Sequence, residues 1–392
     1  MRTKSIKVCW IFLAVLLTST TADAQETLRD ALTFLMTNQA VQTGDFERDR
    51  AAAEAARDTL ARALLINLTT APIGTSSGGF LYRLNPELGT VERASQTFGT
   101  FFVERAITGG QGTASLGMNA TTASYNRLNG FDLRDDSFVT VANRFRDEAQ
   151  PFDTESVTLQ LRASTLSFFA TIGVTDELEL GVVVPLAQIH IEGERLNVYR
   201  GTPIVQASAT GNASGLADIA VRAKYGLFNG TYAHFAAAGE LRLPTGDEEN
   251  LLGAGSTSWR LFGIGSFENG AVGFHLNGGI VRGGISDETL MAAAVSVALN
   301  PRTTLTGELM RRDVSELRAF ALTGAPHPSV VGVDTFRLTA SPEATTLVTA
   351  ITGLKWNVTD TLVLGGHVLW SLNDRGLAAR FTPTVALEYS VR

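Results

Sequence analysis

Between Ala213 and Pro244 the chain alternates apolar and polar residues with a period of two. Ala217, Ile219, Val221, Ala223, Tyr225 and Leu227 are apolar, and Asp218, Ala220, Arg222, Lys224 and Gly226 lie between them. This alternation predicts a β-strand with one apolar and one polar face. Asn229-Gly230 follows, a two-residue hairpin signal. The chain then returns with Ala233, Phe235, Ala237, Gly239, Leu241 and Leu243 on one face and His234, Glu240 and Arg242 on the other. The same hairpin pattern recurs to the C-terminus, with few helical segments to cover the apolar faces. Lipid can cover such a face, provided the sheet closes on itself.

Repeating the exercise predicts strands over 113–127, 154–174, 177–192, 214–228, 231–244, 256–268, 271–284, 287–299, 303–316, 345–357, 361–373 and 378–392. In 156–174 the apolar positions change phase near Ser164, which predicts a bulge. Short connections such as Thr175-Asp176-Glu177, Asn229-Gly230 and Asn300-Pro301-Arg302 alternate with longer ones at 193–213, 245–255 and 317–344. Outer-membrane barrels alternate in this way, with the short turns in the periplasm. The fold class is therefore all-β, a transmembrane antiparallel up-and-down barrel. It has twelve strands, or fourteen if Phe98–Arg105 and Asp136–Phe145 are added.

Upstream of Thr113 the pattern changes. Residues 1–24 read as a secretory signal peptide, with Arg2, Lys4 and Lys7, an apolar run over Val8–Leu17, and Ala22-Asp23-Ala24 as the cleavage site. Residues 25–70 form an amphipathic helical segment. Leu28, Leu32, Leu35 and Met36 share one helical face, and Ala53, Ala56, Leu60 and Leu64 share another. Residues 71–112 are irregular and Gly-rich, and read as a plug or gating segment or as two further barrel strands. The helical segment can plug the lumen, cap the barrel in the periplasm or mediate oligomers. The barrel itself spans 113–392.

Composition narrows the partners. The 392 residues include one cysteine, Cys9, inside the signal segment, so the mature chain has no disulfide and no cysteine-bound metal. Removing 1–24 leaves 29 basic against 38 acidic residues, a charge of −9, which argues against nucleic acid. A mean hydropathy of +0.10 is too low for a bundle of membrane helices, and no stretch after residue 24 approaches the ~20 apolar residues such a helix needs. The expected partners are outer-membrane lipid, the barrel assembly machinery and a small-molecule cargo.

Gly215-Leu216-Ala217-Asp218-Ile219 is followed by Lys224-Tyr225 on the same strand and then by Leu243-Pro244-Thr245-Gly246-Asp247. With these motifs the chain resembles the outer-membrane barrel family associated with the meta pathway of phenol degradation. Gly173-Val174-Thr175-Asp176 and Glu179–Pro185 match the same family's turn and outgoing strand. The resemblance is close over about 150–300 and looser elsewhere. It implies a barrel that transports small, hydrophobic or aromatic compounds, with Gly215, Asp218, Leu243, Pro244, Thr245, Gly246 and Asp247 as family-motif residues. One departure concerns the last strand, which ends Tyr-Ser-Val-Arg instead of on an aromatic residue.

Candidate chemistry is sparse. His190, His234, His275, His327 and His367 form no metal-binding spacing, although three of them fall on inward positions of different strands. Asp247-Glu248-Glu249-Asn250 clusters oxygen donors without the spacing of a calcium loop. No GxSxG occurs, and no catalytic residues, cofactor or metal are expected. The inward phase carries Asp218, Arg222, Lys224, Glu240, Arg242, Arg260, Glu308, Arg312, Lys355 and Glu388. These charges either cross-link a closed barrel or line a selective pore. The expected function is a passive or gated channel. The alternative is a structural or adhesive barrel with a closed lumen and partner-binding outer loops.

Overall fold

The computed structural model describes residues 27–37, scattered residues between 47 and 66, Gly79, 82–85, 90–93 and, apart from 136, residues 95–391. The signal segment expected over 1–24 lies outside the described residues, as does most of 38–78.

Twelve antiparallel strands form a closed ring. They are β1 (Ala114–Tyr125), β2 (Asp153–Gly173), β3 (Leu178–Tyr199), β4 (Ile219–Asn229), β5 (Ala233–Leu243), β6 (Ser258–Asn269), β7 (Val272–Gly283), β8 (Glu288–Asn300), β9 (Thr303–Pro326), β10 (Val333–Thr359), β11 (Leu362–Ser371) and β12 (Phe381–Val391). Each pairs with the next, and β12 pairs with β1 through Val385 and Ala120, so no edge runs the length of the barrel. Closure satisfies every strand's backbone within the ring, as a lipid setting requires.

The outside is apolar and the inside polar. Leu276, Leu261, Met291 and Val385 are exposed on the exterior. Exposed aromatics gather towards the two rims. Phe228, Tyr232, Phe235 and Phe267 lie at the short-turn end, and Trp259, Trp370 and Phe381 towards the other. This inversion of the usual soluble pattern, with aromatic girdles, suits a bilayer. No described helix is long and apolar enough to cross a membrane, which says nothing of a barrel.

Several expectations need correction. The count is the expected twelve, and the alternative of fourteen falls. Phe98–Arg105 is not a strand, and Val139–Phe145 pairs with the ends of β2 and β10 beyond the ring. No bulge occurs near Ser164, because β2 keeps register with both β1 and β3. Odd positions face inward throughout, including Leu159, Leu161 and Ala163. They are apolar because the interior at that end is filled by other apolar groups, so the phase change marks a new filling and not a new backbone. The stretches 193–213 and 317–344 are not loops. The first is a hairpin of β3 with Thr202–Leu216, and the second joins β9 to β10 through a tip at 327–332.

At the long-loop end α1 (Leu28–Thr37) packs on the inner side of β3 and Thr202–Leu216. Thr27 and Asp30 form a capping box, with Asp30 N–H donating to Thr27 Oγ1 at 3.1 Å and Thr27 N–H to Asp30 Oδ2 at 3.1 Å. Leu28, Leu32, Leu35 and Met36 are all buried, together with Leu159, Ile189, Ile191, Leu251 and Leu252. A Cβ at Gly211 would lie 2.7 Å from Leu28, so the wall needs glycine there to let the helix approach.

Candidate functional site in the lumen

The residues singled out around Gly215–Ile219 and Leu243–Asp247 build the long-loop end. Asp218 sits where the chain passes from Thr202–Leu216 into β4. Its Oδ1 accepts the Gly246 N–H at 3.0 Å and its Oδ2 the Ala254 N–H at 2.8 Å. Thr245 Oγ1 accepts from Ile219 N–H at 3.0 Å and donates to Ala217 O at 2.9 Å. Asp247 Oδ1 accepts the Glu249 N–H at 3.0 Å. Gly215 faces Leu252, and Leu243 and Pro244 lead β5 into the loop. Loop 245–255 is thereby folded inward, and Leu251 and Leu252 join the apolar cluster around α1. Arg29 ties the helix to the loop, with Nη2 to Glu248 at 2.9 Å and Nη1 to Glu249 at 2.8 Å. Partial burial pulls the Arg29 pKa down, but the Glu248 hydrogen bond and the two carboxylate charges outweigh it and raise it. The acidic cluster Asp247–Asn250, which lacks calcium-loop spacing, is thus a latch for α1.

Closer to the short-turn end, residues 95–112 run inside the barrel. They follow the wall from β11 through β9, β7 and β6 to β3. Glu308 on β9 accepts the N–H groups of Phe101, Phe102 (2.9 Å) and Val103 (2.8 Å). Asn277 on β7 accepts the Glu104 N–H at 2.6 Å and donates to Glu104 O at 3.0 Å. Lys355 Nζ donates to Phe98 O at 3.2 Å and Thr100 O at 2.8 Å. Lys224 Nζ donates to Ile107 O and meets Glu179, each at 3.3 Å. Glu388 accepts the Gly79 N–H. The wall therefore supplies the backbone partners that an irregular segment cannot supply for itself. Arg105 is buried in the middle and donates from Nη1 to Thr97 O at 3.4 Å, with Glu268, Glu388, Glu179 and Glu104 near enough to act on its charge.

A second charge cluster lies on β4 to β9. Glu240 receives Arg222 Nε at 2.6 Å and Arg242 Nε at 2.7 Å, with Arg260 at 3.8 Å. Arg222 also lies 3.7 Å from Glu104. Arg312 meets Glu288 through Nε at 2.9 Å and Nη2 at 2.8 Å. Buried ions need this kind of multiple pairing, because desolvation costs several kcal/mol per ion.

All ten charged residues singled out in the sequence point inward, but they divide into two sets. Asp218, Lys224, Glu308, Lys355 and Glu388 bind backbone of the inner segments. Arg222, Glu240, Arg242, Arg260 and Arg312 form the ion-pair cluster. Sequence reasoning missed Glu179, Glu288, Asn277 and Ser266, although each lies on the inward phase of its strand. The lumenal histidines do not converge. His275 bridges Ser266 (2.9 Å) and Ser296 (3.2 Å), whose hydroxyls also bond Ala106 N–H and Thr97 Oγ1. His234 contacts Asn229, and His367 stacks on the phenylalanines of the segment.

Two cavities flank the inner segment. One of about 200 Å3 lies between it and the α1 cluster, lined by Phe102, Tyr125, Met310, Leu369, Arg242 and Arg312 together with wall hydroxyls. The other, about 420 Å3, opens at the short turns beside Ile107–Gln111, Asp176 and Glu268.

Residues 140–306, from the strand before β2 into β9, match the family model described as "Putative MetA-pathway of phenol degradation". Over these residues the chain is similar to that family. The matched span includes Asp218, Thr245 and Gly246, which fold loop 245–255 inward. An outer membrane channel from Pseudomonas putida F1 is similar, with a TM-score of 0.42 and 14% identity over 71% of this chain and 95% of that one. The KdgM porin in complex with disordered oligogalacturonate gives 0.37 and 7% over 69% and 99%. OprB of Pseudomonas putida gives 0.30 and 8% over 72% and 93%. No curated protein sequence matches the chain. Scores this low carry no argument, and the fold rests on the closed ring of strand pairs. A closed barrel with an apolar exterior places this chain in the bacterial outer membrane.

Proposed function

We propose that the protein is a channel that admits small hydrophobic or aromatic molecules across the outer membrane by gated diffusion. The long-loop end faces out and the short turns face the periplasm. Residues 95–112 are the inner gate, and α1 with loop 245–255 is the outer one. Insertion uses the barrel assembly machinery, which engages the last strand.

One observation carries this reading. The segment inside the barrel packs a few apolar side chains on the wall, but its backbone is held by polar and charged wall side chains, with Glu308 taking three consecutive N–H groups. A lumen filled only for stability is served better by apolar packing, since a buried polar network gains little net energy. Hydrogen bonds of this kind can be exchanged for water or cargo when the segment moves. The cavities on either side are the compartments such a passage needs. The family's link to phenol degradation supports aromatic cargo.

The test is conductance in planar bilayers. Deleting 26–108 behind an intact signal and cleavage site should leave a heat-modifiable barrel with larger conductance than the full chain. Glu308→Ala in the full chain should raise conductance in the same direction. Folded barrels that conduct in neither form would overturn the channel and favour the structural or adhesive alternative, in which the protruding hairpins bind a partner.

A further inference from the structure

Phe101 lies in a niche in the barrel wall, and the wall is shaped for it. On β10 and β11, Gly353 pairs with His367 and Lys355 with Gly365. All four occupy the inward phase. The two glycines stand diagonally, so the wall is hollow where two side chains would otherwise project. A Cβ at Gly353 would lie 2.4 Å from the Phe101 ring, and one at Gly365 would lie 2.8 Å from it. The ring therefore occupies the space that two Cβ atoms would need.

The niche has chemistry as well as shape. Lys355 Nζ lies 4.9 Å from the Phe101 centroid, a cation over an aromatic face. The His367 ring is 4.1 Å away at 38°, and the Phe102 ring meets it edge-on at 5.2 Å. His367 is buried, yet neither Nδ1 nor Nε2 has a hydrogen-bond partner. Buried polar groups are nearly always satisfied, so two open nitrogens on one ring need an explanation. Beside Phe101 a residual space of about 20 Å3 is lined by Asn119, Lys355, Gly365 and Glu388. That is about the room one small polar atom requires.

We propose that this niche is the channel's binding site for the ring of a single-ring aromatic carrying an oxygen substituent, and that Phe101 occupies it as a stand-in while the channel is shut. The inference deepens the channel reading and rests on it. When cargo takes the niche, Phe101 leaves. Lys355 then loses the Phe98 and Thr100 carbonyls that it binds through the segment. A phenolic or carboxylate oxygen on the incoming ring replaces them, and its ring face restores the cation contact. Binding and opening are thereby one event, because ligand and gate compete for one space.

Phenol is the probe and cyclohexanol its control, similar in size and hydroxyl but without a π face. In bilayers, phenol should raise the conductance of the full chain several-fold and cyclohexanol should not. Phe101→Ala should conduct more than the full chain before any addition and gain nothing further from phenol. In detergent, the 19F line of 4-fluorophenol should report at least tenfold tighter binding to Phe101→Ala than to the full chain, because the internal competitor is gone. Lys355→Met in the Phe101→Ala background should reverse most of that gain.

Equal responses to phenol and cyclohexanol, or no difference in 4-fluorophenol binding between the full chain and Phe101→Ala, would overturn the proposal. The binding measurement does not need conductance. If the deletion of 26–108 folds and never conducts while 4-fluorophenol still binds Phe101→Ala, the channel reading fails and the niche stands. If the deletion conducts and the ring does not bind, the niche alone fails.

Discussion

Asp218 and Gly246 meet across the long-loop end, where one carboxylate oxygen accepts the glycine N–H at 3.0 Å. Twenty-eight residues separate them in sequence. The contact turns an outer loop into a lid, because the loop's Leu251 and Leu252 are then carried into the apolar cluster around α1.

Asp218→Ala should therefore free loop 245–255 and leave two loop N–H groups without their acceptor. The expected loss is about 1–3 kcal/mol. Urea titration of barrels folded into vesicles measures it. Protease cleavage within 245–255 should rise in the same variant. An unchanged midpoint together with unchanged cleavage would show that the carboxylate does not hold the loop.

Leu241 and Leu364 face outward on β5 and β11. Leu241→Arg and Leu364→Arg should each cost about 2–4 kcal/mol if these positions meet lipid near mid-membrane. Thr349→Arg faces the cavity of about 200 Å3 and should cost less than either. Ala220, although inward, is no control, because it is completely buried and an arginine there would clash. Equal costs at Leu241, Leu364 and Thr349 would contradict the lipid-facing assignment.

Orientation can be read with inserted tags. Val331 is fully exposed at the tip between β9 and β10, so a tag there should be labelled on intact cells. A tag at Gly270, in the turn between β6 and β7, should be labelled only after the outer membrane is opened. The reverse pattern would invert the barrel. Glu249 is a poor insertion point, since its backbone carbonyl accepts the Arg29 N–H at 3.1 Å.

The capping box on α1 gives a pH dependence with a definite sign. The Thr27 hydroxyl and N–H hold the Asp30 carboxyl below its ordinary value of 3.8. A carboxyl depressed in the folded state contributes its stability above the unfolded pKa and loses it as pH falls through the folded one. Pepsin cleavage within Leu28–Thr37 should thus rise as pH falls from about 4 through the depressed folded value, and Asp30→Asn should remove part of that rise. A variant with the same pH dependence as the parent would show that the cap does not control docking.

Period-two alternation was enough to determine the barrel. In Ile219–Gly226 and Ala233–Leu243 a residue's face follows from its neighbours, because a strand offers only two faces and lipid takes only one of them; the pairing slips only beside the turn, between Gly226 and Phe228. The inward direction of Arg222, Lys224, Glu240 and Lys355 was legible for the same reason. What those charges hold was not. Glu308 and Phe102 lie 206 residues apart, and no local pattern says that a wall carboxylate will meet the N–H groups of an irregular strand-free segment.

The same limit explains β2, where apolar residues at Leu159 and Leu161 looked like a shifted phase. Alternation reports polarity, and polarity identifies a face only when the far side is known to be water or lipid. At that end of the lumen the far side is α1 and loop 245–255, which arrive from distant parts of the chain. The sequence by itself determined which side of the wall a residue takes wherever the inside is polar, as in β4 and β5. Only the tertiary structure decided what fills the inside, because that depends on contacts between segments with no shared local period.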